Sequence, residues 1–141
     1  MPNSKVRLLL SDDHPELLRD IQLLLSAEFD VVGAVADGSS LVKMAEALRP
    51  DVVVSDIRMP GLNGIEAARI ILGRKHCKAV VILTMYDDSG LIRNAMEAGA
   101  LAYVLKVNAG EELIPAIEEA LHGRKFISHS IDPDDQAPRG V

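Results

Sequence analysis

Short apolar runs alternate along this chain with segments of helical periodicity. The runs have the length and the β-branched or leucine-rich composition of strands that are buried on both faces. They cover residues 6–10, 31–35, 52–54, 79–83 and 102–105. Each run is followed by a segment with apolar residues at helical spacing. These segments cover residues 15–28, 41–49, 65–75, 91–97 and 111–121. Five strand–helix repeats predict a doubly wound α/β fold, with a five-stranded parallel sheet and helices on both faces.

The chain of 141 residues has the length of one domain. From residue 128 the sequence is polar, contains proline and loses all periodicity. Such a segment does not bury enough apolar surface to fold by itself. We therefore predict one folded domain in residues 1–127, and a linker or disordered tail in residues 128–141.

Charge and composition exclude several classes of function. The 15 Lys and Arg against 21 Asp and Glu give a net charge of −6, and aromatic residues are 3% with no Trp. An acidic domain repels a phosphate backbone and has few rings on which bases could stack, so direct nucleic-acid binding is disfavoured. The single cysteine, and the lack of a signal peptide or membrane-spanning run, predict a cytoplasmic domain without a membrane partner.

Polar residues follow four of the predicted strands. Asp12 and Asp13 come after the first strand, Asp56 after the third, Thr84 after the fourth and Lys106 after the fifth. The carboxyl ends of parallel strands meet at one edge of the sheet, where ligands bind in such folds. Taken singly, an Asp there is often a helix N-cap, a Lys is a solvated loop charge, and a Thr is an ordinary strand end. Their joint placement favours a site.

Three neighbouring carboxylates repel one another unless a cation neutralises them. Hard carboxylate oxygens without Cys or His ligands suit Mg²⁺ better than Zn²⁺. The four histidines of the chain share no metal-ligand spacing and are predicted to be surface residues. A lysine and a hydroxyl beside the carboxylates provide donors for a phosphoryl group. These residue types therefore predict an acidic Mg²⁺ site with phosphate-binding donors.

Four segments carry a resemblance to a known family. They are LLLSDD (residues 8–13), DVVVSDIRMPGLNG (51–64), VILT (81–84) and AYVLK (102–106). Over residues 6–124 the chain resembles the receiver domain of two-component response regulators. The resemblance implies the (βα)5 flavodoxin-like, or CheY-like, fold.

The resemblance implies a role for each acidic residue. Asp56 would be the nucleophile that takes a phosphoryl group from a histidine of a sensor histidine kinase. Asp13 and Asp56 would bind Mg²⁺ directly, together with the backbone carbonyl of Arg58. Asp12 would act on the ion largely through water.

The remaining site residues would sense the phosphoryl group. Lys106 would pair with one phosphoryl oxygen, and Thr84 would move to bond another. Tyr103 would then turn inward behind Thr84 and change the surface around the fourth helix, fifth strand and fifth helix. A simpler interpretation of Tyr103 is an amphipathic ring that covers the edge of the core.

Two features depart from the family pattern or modify it. Val107 follows Lys106 where many members have proline, so the peptide geometry there is less defined. Arg58 and Tyr86 stand two residues after Asp56 and Thr84. Our hypothesis is that their side chains flank the phosphoryl group and obstruct attacking water. The alternative is that both simply face solvent.

The segment GRKFIS (residues 123–128) resembles the exit from the receiver domain of NarL/LuxR-type transcription regulators. This resemblance implies transcription regulation through a helix-turn-helix output domain that this chain lacks, so DNA would be contacted only by that domain. A second copy of the chain, in a homodimer, is a further candidate partner.

Two alternatives remain open. The first is a stand-alone CheY-like receiver that acts through protein contacts. The second is a Mg²⁺-dependent aspartyl phosphatase, which usually needs a second acid two residues after its nucleophile. Arg58 occupies that position. We therefore predict an acceptor that modifies itself, with self-dephosphorylation at most, rather than an enzyme with a released substrate.

Overall fold

The computed structural model describes residues 5–131, in which strands and helices alternate. The elements are β1 (Arg7–Ser11), α1 (Pro15–Ser26), β2 (Asp30–Val35), α2 (Gly38–Leu48), β3 (Val52–Ser55), α3 (Gly64–Gly73), β4 (Ala79–Thr84), α4 (Ser89–Glu97), β5 (Ala102–Leu105), α5 (Ala109–Leu121) and β6 (Phe126–Ile127). A single 3-10 turn, Lys106–Asn108, joins β5 to α5. The predicted strand–helix alternation is confirmed.

The strands form one parallel sheet in the order β2-β1-β3-β4-β5-β6. The order reverses beside β1, as the predicted doubly wound fold requires, so the fold class is confirmed. The sheet has six strands instead of the five predicted. The additional strand, Phe126–Ile127, pairs with β5 at the sheet edge. Two residues are too few to show an apolar pattern in the sequence.

Two hydrophobic clusters cover the two faces of the sheet. One contains residues of α2, α3 and α4, and the other contains residues of α1 and α5. All six residues of β4 are buried, which explains why its sequence is continuously apolar up to Thr84. Leu113 and Ile117 of α5 are also fully buried and therefore do not provide a dimer surface.

The chain stays packed against the domain after β6. Ser128 and Ile131 are both buried, and Ile131 belongs to the cluster on the α2–α4 face. The remainder of the predicted linker or tail, residues 132–141, lies outside the described residues. Among the described helices, none combines the length and apolarity needed to cross a membrane.

Candidate functional site: an acidic pocket at the carboxyl edge of the sheet

The predicted acidic residues converge at one edge of the sheet. Ligand atoms of Asp12, Asp13 and Asp56, together with one from His14, all lie within 4.8 Å of one another. The parallel register of β1 and β3 pairs Ser11 with Ser55, so the acids that follow these strands become neighbours. Asp12 is 5% exposed and Asp56 is 4% exposed. The carboxylates of Asp12 and Asp56 are therefore largely removed from water and their mutual repulsion is poorly screened, whereas Asp13 is exposed.

Lys106 reaches across the sheet edge to two of these acids. Its Nζ atom lies 2.7 Å from Oδ2 of Asp56 and 2.8 Å from Oδ2 of Asp12. Burial of the Lys106 ammonium opposes its charge. Hydrogen bonds and Coulomb attraction from Asp12 and Asp56 outweigh burial, so the pKa of Lys106 is raised above the usual lysine value. The lysine thus neutralises one of the three negative charges and leaves the pocket acidic.

The two carboxylate oxygens of Asp56 have different partners. Oδ1 accepts the backbone N–H of Ile57 at 2.6 Å, whereas Oδ2 accepts from Lys106. The backbone N–H of Asp56 donates to the carbonyl of Ser11 at 3.0 Å. The Asp56 carboxylate is consequently held in one orientation.

Thr84 ends β4, which lies between the strands that carry Asp56 and Lys106. The residue is 0% exposed, and its Oγ1 atom has no hydrogen-bond partner within the described part of the chain. A buried hydroxyl without a partner costs about 1–3 kcal/mol. The Thr84 hydroxyl is therefore a buried donor without an acceptor in the described part of the chain.

The residues present fit a small divalent cation. Three carboxylates provide hard oxygen donors at one point, as Mg²⁺ prefers. Binding of Mg²⁺ at this point remains a prediction, and so does the role of the Arg58 backbone carbonyl as a ligand. The histidines were predicted to be surface residues; this is confirmed for His14, whose side chain is 65% exposed, and is wrong for His76, which is buried. The Nδ1 atom of His14 nevertheless lies 3.1 Å from Asp12 Oδ1 and 3.2 Å from Asp13 Oδ1. In the sequence, the sign of these contacts was the position of His14 directly after the acidic pair.

Tyr103 lies inside the domain. Its ring is fully buried, and its hydroxyl donates to the backbone carbonyl of Tyr86 at 2.6 Å. Burial, followed by Coulomb repulsion from Asp88 and Asp56, raises the pKa of the Tyr103 phenol far above its usual value, so the hydroxyl stays a donor. The ring is part of the core beside Ile82, its register partner in β4. The predicted switch role of Tyr103 remains a prediction.

Arg58 and Tyr86 contact each other on the loops after β3 and β4. The Arg58 guanidinium carbon lies 4.7 Å from the centroid of the Tyr86 ring, which is cation–π geometry. The sequence did not predict this stacking. The stacking therefore connects the loop after Asp56 to Tyr86, whose backbone carbonyl accepts the Tyr103 hydroxyl. Whether it flanks a phosphoryl group remains a hypothesis.

The start of α3 fixes the backbone of Asp56. Asn63 and Glu66 form a capping box at this helix N-terminus. The N–H of Gly64 donates to the carbonyl of Ile57 at 2.8 Å. A Cβ atom at Gly64 would lie 1.8 Å from the carbonyl oxygen of Asp56, so only glycine allows this close approach.

Comparison with known proteins finds a family match over most of the chain. Residues 8–118 match the response regulator receiver domain. The chain is 36% identical over 125 residues to the transcriptional regulatory protein YxjL of Bacillus subtilis strain 168, and the match covers 87% of this chain and 57% of YxjL. The chain thus spans little more than half the length of the curated relatives it matches.

Solved structures agree with this match. A LuxR-family two-component response regulator from Aurantimonas sp. SI85-9A1 has a TM-score of 0.84 at 36% identity, with 91% of this chain and 93% of that chain covered. The chain is also similar to RcsB in a structure of two RcsB dimers bound to two parallel DNAs. The TM-score there is 0.81 at 26% identity, with 92% of this chain and 66% of that chain covered.

Proposed function

Since the chain belongs to the family of response regulator receiver domains, we propose that it accepts a phosphoryl group on Asp56 and switches conformation to control an output. The observation that carries the proposal is the pocket around Asp56. Its carboxylate is oriented by Ile57 and Lys106, and the buried hydroxyl of Thr84 nearby lacks a partner. These residues supply a nucleophile, a cation and a free donor at one point.

The proposed reaction transfers a phosphoryl group between two side chains. The Asp56 carboxylate attacks the phosphorus of a phosphohistidine on a sensor histidine kinase. The phosphorus–nitrogen bond breaks, its electrons return to the imidazole, and an acyl phosphate forms on Asp56. Lys106, which contacts the Asp56 carboxylate before the transfer, then pairs with a phosphoryl oxygen. Asp12, Asp13 and Asp56, with the Arg58 carbonyl, would hold Mg²⁺, and the bound ion would neutralise negative charge at this point.

The conformational response begins at Thr84. A phosphoryl oxygen gives its hydroxyl the acceptor that it lacks, and the residue moves toward Asp56. The loop after Thr84 includes Tyr86, whose carbonyl accepts the Tyr103 hydroxyl. A shift of this loop therefore changes the support of the Tyr103 ring and the surface near α4 and β5.

The output is proposed from the relatives. YxjL is named a transcriptional regulatory protein and is longer than this chain. We propose a cytoplasmic regulator of NarL/LuxR type, in which a helix-turn-helix domain outside these residues binds DNA and a homodimer forms. RcsB dimers bound to DNA support the dimer. The alternatives are a stand-alone receiver and an aspartyl phosphatase. Against the phosphatase, Arg58 stands where a second acid would act, and it stacks on Tyr86.

Intact mass after incubation with Mg²⁺ and acetyl phosphate tests the acceptor. We expect one phosphoryl group on the native chain and none on the Asp56→Asn variant, because the amide is not a nucleophile for this transfer. Asn keeps the size of the side chain, so the fold of the variant is preserved. Addition to both proteins would move the acceptor elsewhere, and addition to neither would leave a receiver that signals through protein contacts alone.

The Arg58 and Tyr86 side chains are expected to slow hydrolysis of the phosphoryl group. With both replaced by Ala, we expect the phosphoryl half-life on Asp56 to shorten about fivefold, or about 1 kcal/mol of activation free energy, because water then approaches the phosphorus more freely. The decay of the phosphorylated mass measures it. Arg69→Ala, which removes an exposed arginine from α3, is the matched control. An unchanged half-life in the double variant contradicts the idea.

A further inference from the structure

The chain leaves the domain along the strand that ends at the pocket. We call residues 126–131 the exit segment. Its first two residues form β6 on β5, and the N–H of Ser128 donates to the carbonyl of Tyr103 at 2.9 Å. Ile131 then packs in the same cluster as Tyr103. The exit segment is thus attached along β5, the strand whose carboxyl end is followed by Lys106.

The hydroxyl of Ser128 joins this segment to two other elements. It accepts the N–H of Leu105 at 2.8 Å and donates to Oε1 of Glu112 at 2.6 Å. Ser128 is 1% exposed, and the Glu112 carboxylate in the first turn of α5 is also buried. The other oxygen of Glu112 accepts the N–H of His129 at 3.2 Å and also contacts the His129 ring. Each side-chain oxygen of Ser128 and Glu112 therefore has a partner.

The hydrogen bonds of Ser128 also restrain the backbone next to Lys106. Leu105 is the last residue of β5, and its N–H is fixed by Ser128 one residue before Lys106. The Lys106 side chain is fixed at its other end by Asp12 and Asp56. Leu105 and Lys106 therefore lie between two sets of restraints, one from Ser128 and the other from Asp12 and Asp56.

We propose that Ser128 is a positioning residue for Lys106 and that the exit segment, through it, responds to the state of Asp56. The inference rests on the proposed function, because a phosphoryl oxygen would draw the Lys106 ammonium from the two carboxylates. It goes beyond the proposed function because it names the exit segment as the part that carries the signal out of the domain. Phosphorylation thereby alters the restraint on Leu105, Ser128 and His129.

Three variants isolate the hydroxyl. Ser128→Ala leaves the Leu105 N–H and the Glu112 carboxylate without their partner, while Ser128→Thr keeps a hydroxyl. Ser26→Ala is the matched control, because the Ser26 hydroxyl bonds only the Gln22 carbonyl at the exposed end of α1. If Ser128→Ala does not fold, Glu112→Gln replaces it, since that change keeps the side-chain shape and removes the charge to which Ser128 donates.

Hydrogen exchange of residues 124–131, followed by mass spectrometry with and without Mg²⁺ and acetyl phosphate, measures the response. We expect a change of about fivefold or more in the native chain, Ser128→Thr and Ser26→Ala. In Ser128→Ala the change disappears although Asp56 still gains phosphoryl mass. An equal change in Ser128→Ala overturns the proposal, as does phosphoryl addition to the native chain without any change in exchange.

A second arm needs no phosphoryl group. Lys106→Met releases the side-chain end of the restraint, and we expect exchange in residues 124–131 to rise about fivefold in the native background but not in the Ser128→Ala background. This arm decides the positioning role of Ser128 even if Asp56 gains no mass, a result that counts against the proposed function alone. The same rise in both backgrounds refutes the positioning role.

Discussion

Replacing Gly64 with alanine is expected to lower the free energy of unfolding by at least about 3 kcal/mol, at the upper end for overpacking. The added methyl would lie 1.8 Å from the carbonyl oxygen of Asp56 and 3.0 Å from Oγ of Ser55. The first of these neighbours is backbone and has no rotamer that relieves the clash. Helix α3 must therefore move away from the end of β3, and Asp56 must move with it. Urea unfolding followed by circular dichroism measures the loss.

Gly73→Ala is the matched control for this prediction. Gly73 is the last residue of the same helix, and a Cβ atom there would have no neighbour within 4 Å. Alanine at Gly73 is expected to be neutral or stabilising by up to about 1 kcal/mol, because it favours the helical conformation. The same loss of stability in both variants would show that the contact between Gly64 and the Asp56 carbonyl is not the cause of the effect.

The strands were predictable because strands buried on both faces are continuously apolar, but three of them extend one residue beyond the predicted end. β1 ends at Ser11, β3 at Ser55 and β4 at Thr84. These hydroxyl residues are buried strand positions, yet their polarity ends the apolar pattern in the sequence. At these three positions beside the site, the residue type is polar although the location is a buried strand.

Helix starts were less predictable than helix faces. α2 begins at Gly38 behind the cap Asp37, and α4 begins at Ser89 behind Asp88, both earlier than the apolar periodicity indicates. The first turn of each helix holds serine and glycine, which carry no apolar pattern. The capping side chains, which accept backbone N–H groups, mark these starts better than periodicity does.

The convergence of the acids, Thr84 and Lys106 at one edge follows from parallel topology and was therefore predictable. The contacts among side chains were not. The stacking of Arg58 on Tyr86 depends on the paths of two loops, which no periodicity encodes. The Ser128 network was missed for a related reason: a polar segment without periodicity is typical of a tail, and only its position beside Glu112 makes it part of the domain.

Replacing Lys106 with methionine is expected to lower the free energy of unfolding by about 3 kcal/mol in the absence of divalent cations, since removing one member of a buried ion pair leaves the others uncompensated. Asp12 and Asp56 would lose the ammonium that lies 2.8 Å and 2.7 Å from them. Mg²⁺ is expected to restore much of this loss. A cation that binds only the folded state stabilises it more as its affinity rises. The variant should also bind Mg²⁺ more tightly than the native chain, because Lys106 no longer occupies two of the carboxylate oxygens.

Urea unfolding of both proteins, with and without Mg²⁺, measures the effect, and Lys78→Met provides the comparison. Lys78 is paired with Asp51 at 3.4 Å, but its side chain is 74% exposed. A solvated pair of this kind contributes about 0–1 kcal/mol, and its loss should not depend on Mg²⁺. If Mg²⁺ stabilises the native chain and Lys106→Met equally, lysine and cation do not compete for the same carboxylates. A larger Mg²⁺ effect in Lys106→Met alone would instead locate the cation among Asp12, Asp13 and Asp56, which is where the proposed phosphoryl transfer needs it.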